Sequence, residues 1–122
     1  MIIERVAILV APEKREDLRR AFSSLLGPTG VEPGCIGCHL YQEAGTVNRF
    51  CLETRWETDQ ELIKHLRSEQ YKNFLILLEL SAEPPLIEFH DVVETKGLEL
   101  VRSVRQDSCP TTFETAIGDV IS

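Results

Sequence analysis

The chain has 122 residues, which is about the size of a single domain. Its 13 Lys and Arg residues against 20 Asp and Glu give a net charge of −7, which argues against binding to nucleic acid or to an anionic membrane surface. No apolar run reaches the length of a spanning helix, and Glu4 and Arg5 interrupt the first apolar stretch, unlike a signal peptide. We therefore expect a cytoplasmic domain whose four cysteines are reduced thiols.

The first part of the chain predicts a strand followed by a helix. Residues 2–10 are rich in β-branched side chains, which favour a strand. After Pro12 the apolar residues recur at the spacing of one helix face, namely at Leu18, Ala21, Phe22 and Leu25. We expect this helix to end at Gly27-Pro28, because proline removes a helical hydrogen bond.

A hairpin is predicted next, after turn residues at 27–34. Residues 35–43 alternate, which predicts a strand with Ile36, Cys38 and Leu40 on one side and Gly37, His39 and Tyr41 on the other. Residues 47–56 alternate again and place Phe50, Leu52, Thr54 and Trp56 on one face. The short polar break between the two segments indicates an antiparallel pair.

Two helices and a last strand complete the pattern. Thr58 and Glu61 form a capping box at the start of a helix that runs to about Ser68. A further helix carries Tyr71, Phe74, Leu75 and Leu78 on its inner face, and residues 86–93 predict a strand. The order β-α-β-β-α-β predicts an α+β, ferredoxin-like fold, in which a four-stranded antiparallel sheet carries its helices on one face.

The other face of such a sheet needs a cover. Its expected residues are mixed polar, which favours a self-complementary homodimer: His39, Tyr41, Cys51, Glu53, Glu88 and His90. We place the domain at residues 1–93 and a C-terminal extension at 94–122. Residues 94–106 fit either a fifth strand or a short helix, and the last residues fit either a frayed tail or a strap on a partner subunit.

A family resemblance is carried by EPGC (32–35), LETRWET (52–58), Leu62, His65-Leu66, Ser68 and Phe74. With these residues the chain resembles the antibiotic biosynthesis monooxygenase family of dimeric α/β-barrel proteins, and the likeness covers residues 2–93. It implies a homodimer with a pocket between sheet and helices in each subunit. Members of the family oxidise hydroxyanthrones or quinols with dioxygen and use neither metal nor flavin. The resemblance therefore implies a monooxygenase that needs no cofactor and acts on a small aromatic or quinol-like molecule.

Two site patterns of this family carry over only in part. Haem-degrading relatives use an Asn in the first strand, a Trp in the second helix and a His in the third. Here the first strand has no Asn, and His65 and Leu75 stand at the other two positions, which disfavours haem degradation. The hydroxyanthrone-type sites use Asn, Trp, Tyr and Arg, of which Trp56 carries over.

The candidate site follows from what oxygenation without a cofactor requires. The substrate must lose a proton in an apolar, water-poor pocket, and its anion then reduces dioxygen. Trp56 and Phe50 on the third strand and Tyr71 and Phe74 on the last helix could line that pocket, although the same four residues could simply fill the core. His65 is the leading candidate for the proton-handling group, while a structural role for it is the favoured competing interpretation.

The run Cys35-Ile-Gly-Cys38-His39 matches the c-type haem attachment pattern. We interpret it as coincidence, since residues three apart on a strand are expected to point to opposite faces. The remaining cysteines and histidines show no paired spacing for zinc. Two rival functions stay open: a non-catalytic protein that binds a small apolar molecule in the same pocket, and a haem-binding protein.

Overall fold

The computed structural model describes residues 1–106 of the chain. Met1–Val92 forms one compact unit, and the chain from Val93 onward belongs to a second unit. A short 3-10 turn at Pro12–Lys14 precedes the first helix. The strands and helices are β1 Ile2–Leu9, α1 Arg15–Gly30, β2 Cys35–Gln42, β3 Arg49–Trp56, α2 Asp59–Leu66, α3 Glu69–Leu78, β4 Leu86–Asp91 and α4 Leu98–Arg105.

The four strands form one antiparallel sheet in the order β2-β3-β1-β4. Alternate residues of β1 and β3 are buried on the same face: Ile2, Glu4, Val6, Ile8, Phe50, Leu52, Thr54 and Trp56. The buried side chains of α1, α2 and α3 pack against this face. The ferredoxin-like α+β prediction is therefore confirmed.

The core consists of two neighbouring clusters. The larger one joins β1 and β3 to α1 and α3, and Phe22 meets Phe74 there edge to face with ring centroids 6.0 Å apart. The smaller one packs Leu62 of α2 against Ile2 and Trp56. Leu66 contacts both clusters, so α2 is fixed beside the end of the sheet that carries Trp56.

Helix α1 does not end at Gly27-Pro28, as the sequence predicted, but continues to Gly30 with Pro28 inside its last turn. Thr29 explains the extension. Its side chain is buried, and its hydroxyl accepts a hydrogen bond from Gln70 Nε2 at 2.8 Å. This contact with α3 offsets the hydrogen bond that Pro28 removes, so tertiary packing overrides a local helix-stop signal.

Strand β2 begins with an irregularity that the alternation did not predict. A register shift between Cys35 and Gly37 leaves Ile36 56% exposed, although the pattern placed it on the inner side. Cys35 and Cys38 both pack against the helix-side core instead. The extra residue of a β-bulge changes the phase of the strand, so the expectation that the two cysteines point to opposite faces is wrong.

Helix α2 starts at the cap that the sequence predicts, and α3 starts at a second cap, Ser68, which was not predicted. Thr58 Oγ1 accepts the Glu61 backbone N–H at 3.3 Å, and Ser68 Oγ accepts the Tyr71 backbone N–H at 3.1 Å. Leu75 is 42% exposed rather than on the inner face, and Leu77 packs against the core in its place. These caps fix the rotation of both helices above the sheet.

The register confirms which residues share the open face of the sheet. His90 pairs with Ile3, Glu88 with Arg5, and Glu53 with both Arg5 and His39. Tyr41 pairs with Cys51 on the same face. Strand β4 is exposed along its whole length, since it pairs with β1 alone and no helix of Met1–Val92 covers it.

The second unit contributes one described element. Of the two alternatives that the sequence left open for residues 94–106, the structure shows a helix, α4. The predicted tail or strap at 107–122 lies outside the described residues. Within residues 1–106, no helix has the length and apolar character needed to cross a membrane.

Candidate functional site

The centre of the candidate site is a carboxylate in the core. Glu4 lies on β1 between Ile2 and Val6 and is 1% exposed. Its Oε1 accepts a hydrogen bond from Thr54 Oγ1 at 2.9 Å, and its Oε2 accepts one from Tyr71 Oη at 2.6 Å. Burying a carboxylate without hydrogen-bond partners would destabilise the fold by several kcal/mol. The two hydroxyl donors offset this desolvation cost.

Trp56 fixes the direction of one of these hydrogen bonds. The indole Nε1–H is a donor only, and it donates to Thr54 Oγ1 at 2.8 Å. Thr54 has a single hydroxyl proton, which is therefore directed to Glu4. The chain from Trp56 through Thr54 holds the Glu4 carboxylate in one orientation, because all three side chains are fully buried on adjacent strands.

Tyr71 supplies the second donor from α3. Burial and the hydrogen bond to Glu4 both raise the pKa of Tyr71 above its ordinary value. The phenol therefore stays protonated and continues to donate to Glu4 well into the alkaline range. Its ring contacts His65 edge to face, with centroids 5.0 Å apart, and lies 5.5 Å from the ring of Phe74.

His65 of α2 lies between two carboxylates. Its Nδ1 is 2.9 Å from Glu32 Oε2, in the turn after α1, and its Nε2 is 3.9 Å from Glu4 Oε1. The imidazole is 5% exposed and stacks on Trp56 with ring centroids 4.4 Å apart. The histidine side chain is thus held by a carboxylate and an indole.

These groups enclose a small cavity between the sheet and the helices. Its volume is about 10 Å³, which is close to the space that a single water molecule needs. The lining residues are Glu4, Leu25, Thr29, Leu52, Thr54, His65, Gln70, Tyr71 and Phe74. An aromatic ligand therefore requires the lining to move apart, and the Gln70–Thr29 hydrogen bond joins α3 to α1 at that lining.

The structure brings four of the five sequence-predicted site residues together. His65, Tyr71 and Phe74 line the cavity, and Trp56 supports it from behind through His65 and Thr54. Phe50 does not reach this cavity. It lies in the larger core cluster and lines a separate space with Phe22 and Leu78.

The residues that organise the site were not among those predicted from the sequence. Glu4 carried a signal, because it occupies an inward position of a strand whose neighbours Ile2 and Val6 are apolar. Thr54 carried a weaker one, as a polar residue on the apolar face of β3. Glu32 carried none, since it meets a histidine 33 positions away through the fold.

The cysteine motif lies apart from the cavity lining. Cys35, Cys38 and Cys51 are free thiols, each partly buried. Burial, with the nearby Cys35, Glu4 and Glu32 charges, raises the pKa of the Cys38 thiol to about 12. His39 is exposed on β2, away from the helix side. Within residues 1–106, no three His, Cys, Asp or Glu side chains cluster as metal ligands would.

A sequence model of the family described as antibiotic biosynthesis monooxygenase matches residues 1–75, more than half of the chain. The chain belongs to the antibiotic biosynthesis monooxygenase family. The match includes β1 with Glu4, β3 with Thr54 and Trp56, and most of α3, so the candidate site lies inside the family domain.

The relatives found by sequence differ in how much of their own length this chain covers. YcnE of Bacillus subtilis, to which a monooxygenase activity is ascribed, is 27% identical over 96 residues, covering 79% of this chain and 97% of that protein. An uncharacterised protein of Synechocystis is 27% identical over 92 residues, covering 75% of this chain. That match covers 63% of the cyanobacterial protein, so the chain spans less than two thirds of its length.

Solved structures give the same fold. A Deinococcus radiodurans protein assigned to the antibiotic biosynthesis monooxygenases superposes with a TM-score of 0.74 over 80% of this chain and 97% of that one. The two sequences are 16% identical, so the likeness shows the shared fold alone.

Proposed function

We propose that this protein oxidises a small aromatic or quinol-like molecule with dioxygen, and that it needs neither a metal nor a flavin to do so. One observation carries the proposal: a fully buried carboxylate, Glu4, lies at the wall of a small cavity between the sheet and the helices, with His65 beside it. Family membership supports a monooxygenase, and this carboxylate supplies the proton acceptor that such chemistry requires.

The reaction balances for a substrate with an acidic methylene next to a phenolic ring system. The methylene compound and dioxygen give a ketone and water, so the carbon loses four electrons and dioxygen gains four. A base first takes one C–H proton, and the carbanion transfers an electron to dioxygen. The resulting radical and superoxide combine to a peroxide, which takes up the proton. Loss of the second C–H proton and of hydroxide then gives the ketone and water.

The site residues divide this work. Glu4 and His65 handle the substrate proton at the cavity wall, and Trp56 positions both of them through Thr54 and by stacking. Tyr71 remains a hydrogen-bond donor beside Glu4 and can stabilise an oxyanion of the substrate when the cavity widens. Phe74 provides an apolar wall that excludes water from the carbanion.

The open face of the sheet supports a homodimer as part of this proposal. It carries charges of both signs side by side: Arg5 lies between Glu53 and Glu88, and Arg49 and Arg55 lie on β3 with Glu53. A second copy rotated by a two-fold axis can place an arginine of one copy against a glutamate of the other. The expected result is a dimer mass in light scattering at micromolar concentration, and a monomer mass would contradict the dimer.

Dioxygen uptake tests the proposed activity. The protein, freed of metal and flavin by chelator and dialysis, is offered a panel of hydroxyanthrones, naphthols and quinols. We expect uptake above the autoxidation rate, abolished by denaturing the protein. Tight ligand binding without uptake would instead select a binding protein with the same pocket. A Soret band on titration with equimolar haem would favour the haem-binding alternative, and an unchanged spectrum would exclude it.

A further inference from the structure

Two side chains, His65 and Glu32, connect the buried Glu4 carboxylate with the surface. Glu4 is 1% exposed, His65 is 5% exposed, and the Glu32 side chain is 20% exposed. His65 faces Glu4 Oε1 with its Nε2 at 3.9 Å and Glu32 Oε2 with its Nδ1 at 2.9 Å. One imidazole therefore has a carboxylate at each nitrogen, the first in the cavity and the second reached by solvent.

The hydrogen bond to Glu32 determines which nitrogen carries the proton in the neutral imidazole. A carboxylate only accepts, and both Glu32 oxygens lie near Nδ1, at 2.9 and 3.1 Å. Nδ1–H therefore donates to Glu32, and Nε2 presents its lone pair toward Glu4. Stacking on Trp56 holds the ring in this orientation.

His65 Nε2 and Glu4 Oε1 can share one water that lies beside them in the cavity. A distance of 3.9 Å is too long for a direct hydrogen bond, but both side chains line the cavity of about 10 Å³. One water there can hydrogen-bond to both groups and carry a proton between them. The other side chains that line the cavity within residues 1–106 are hydroxyl, amide or apolar groups. The imidazole of His65 is therefore the group that can carry a proton away from Glu4.

We propose that Glu4, His65 and Glu32 form a proton path between the cavity and solvent. The path rests on the proposed function, in which Glu4 takes a C–H proton from the substrate. That proton moves through the bridging water to His65 Nε2, which gives an imidazolium. The Nδ1 proton then passes to Glu32 and on to solvent, and each step reverses to return a proton. Dioxygen takes part in none of these steps, so the path operates without it.

Anaerobic deuterium exchange tests the path apart from the oxidation. The probe is dithranol, a dihydroxyanthrone with an acidic methylene, incubated with the protein in deuterated buffer under argon. We expect wild type to exchange the methylene hydrogens faster than the protein-free blank. Glu32→Ala should exchange about tenfold or more slowly, and added formate should restore the rate by replacing the lost carboxylate. Glu32→Gln should be equally slow and should not respond to formate, because its amide fills that place.

Glu13→Ala serves as the matched control, since Glu13 is an exposed carboxylate on the turn before α1 and should exchange like wild type. The path is contradicted if wild type does not exceed the blank, or if both Glu32 variants exchange like wild type. A slow Glu32→Ala variant that formate does not restore also contradicts it, because that result indicates a structural role. If exchange behaves as expected and aerobic dioxygen uptake is absent, the proposed oxidation fails while the proton path stands.

Discussion

The indole of Trp56 stacks on the imidazole of His65, with ring centroids 4.4 Å apart and 28° between the ring planes. The same indole donates its Nε1–H to Thr54, so one side chain orients two of the three side chains around Glu4, namely Thr54 and His65. Trp56 is the single tryptophan of the chain, which makes its fluorescence a direct reporter of this site. The motif LETRWET (52–58), at the end of β3, thus positions the side chains of the candidate site and does not supply its reacting group.

Thr54 tests whether the hydrogen-bond chain organises the site. Thr54→Val keeps the shape of the side chain but leaves Trp56 Nε1 and one Glu4 oxygen without their partner. We expect the free energy of unfolding to fall by about 1–3 kcal/mol. Thr54→Ser keeps the hydroxyl, so its free energy of unfolding should fall by less. Urea unfolding of the two variants measures the difference, and equal losses would show that the methyl packing matters rather than the hydrogen bonds.

Tyr71 predicts a pH dependence of stability with a definite sign. Its pKa is raised in the folded state, so folding favours the protonated phenol. The stability it contributes is complete below about pH 10, the ordinary tyrosine value, and is lost as pH rises above it. Between pH 8 and 11, wild type should therefore lose stability more steeply than Tyr71→Phe, by up to about 1.4 kcal/mol per pH unit above pH 10. Parallel slopes in urea unfolding would contradict the prediction.

Gln70 tests whether the cavity opens at the contact between α3 and α1. Gln70→Ala removes the hydrogen bond to Thr29 and one lining side chain. We expect about 1 kcal/mol less stability and faster association of a naphthol, followed by Trp56 fluorescence in stopped flow. Asn73→Ala, an exposed position on the same helix, is the control and should bind like wild type. Unchanged association in Gln70→Ala would place the entrance elsewhere.

Cys38 should be nearly inert toward alkylation. Its pKa rises from 9.0 to about 12, so the thiolate fraction at neutral pH falls about a thousandfold. Pulsed iodoacetamide labelling with peptide mass spectrometry should show slow modification in the folded protein and rapid modification in urea. A comparable rate in both states would contradict the raised pKa.

The pattern of the sequence predicted the chain order of the elements and the helix-covered face, because alternation on β3 and the capping residue Thr58 are local signals. The sequence pattern did not predict the features that depend on contacts between residues far apart in the chain. Thr29 extends α1 past Pro28 through a bond to Gln70 on α3. The bulge at the start of β2 reverses the phase of Ile36, and no residue type marks it in advance.

The site was predicted in its aromatic part and missed in its acidic part. Trp56, Tyr71 and Phe74 follow from periodicity and from the family resemblance. Glu4 stands in an apolar strand, where composition alone suggests a tolerated charge and only the fold shows two hydroxyl donors around it. The hydrogen bond between Glu32 and His65 depends on where the turn after α1 contacts α2. Hydrophobic periodicity does not predict such a contact.

Dioxygen uptake by Glu4→Gln beside wild type tests the account most directly. Glutamine has nearly the same shape and keeps an acceptor for Thr54 or Tyr71, but it cannot take a proton from the substrate. With metal-free, flavin-free protein and dithranol, we predict uptake by wild type and by Glu13→Gln, and a loss of about a hundredfold or more in Glu4→Gln. Full uptake by a folded Glu4→Gln protein would contradict the central role of the buried carboxylate.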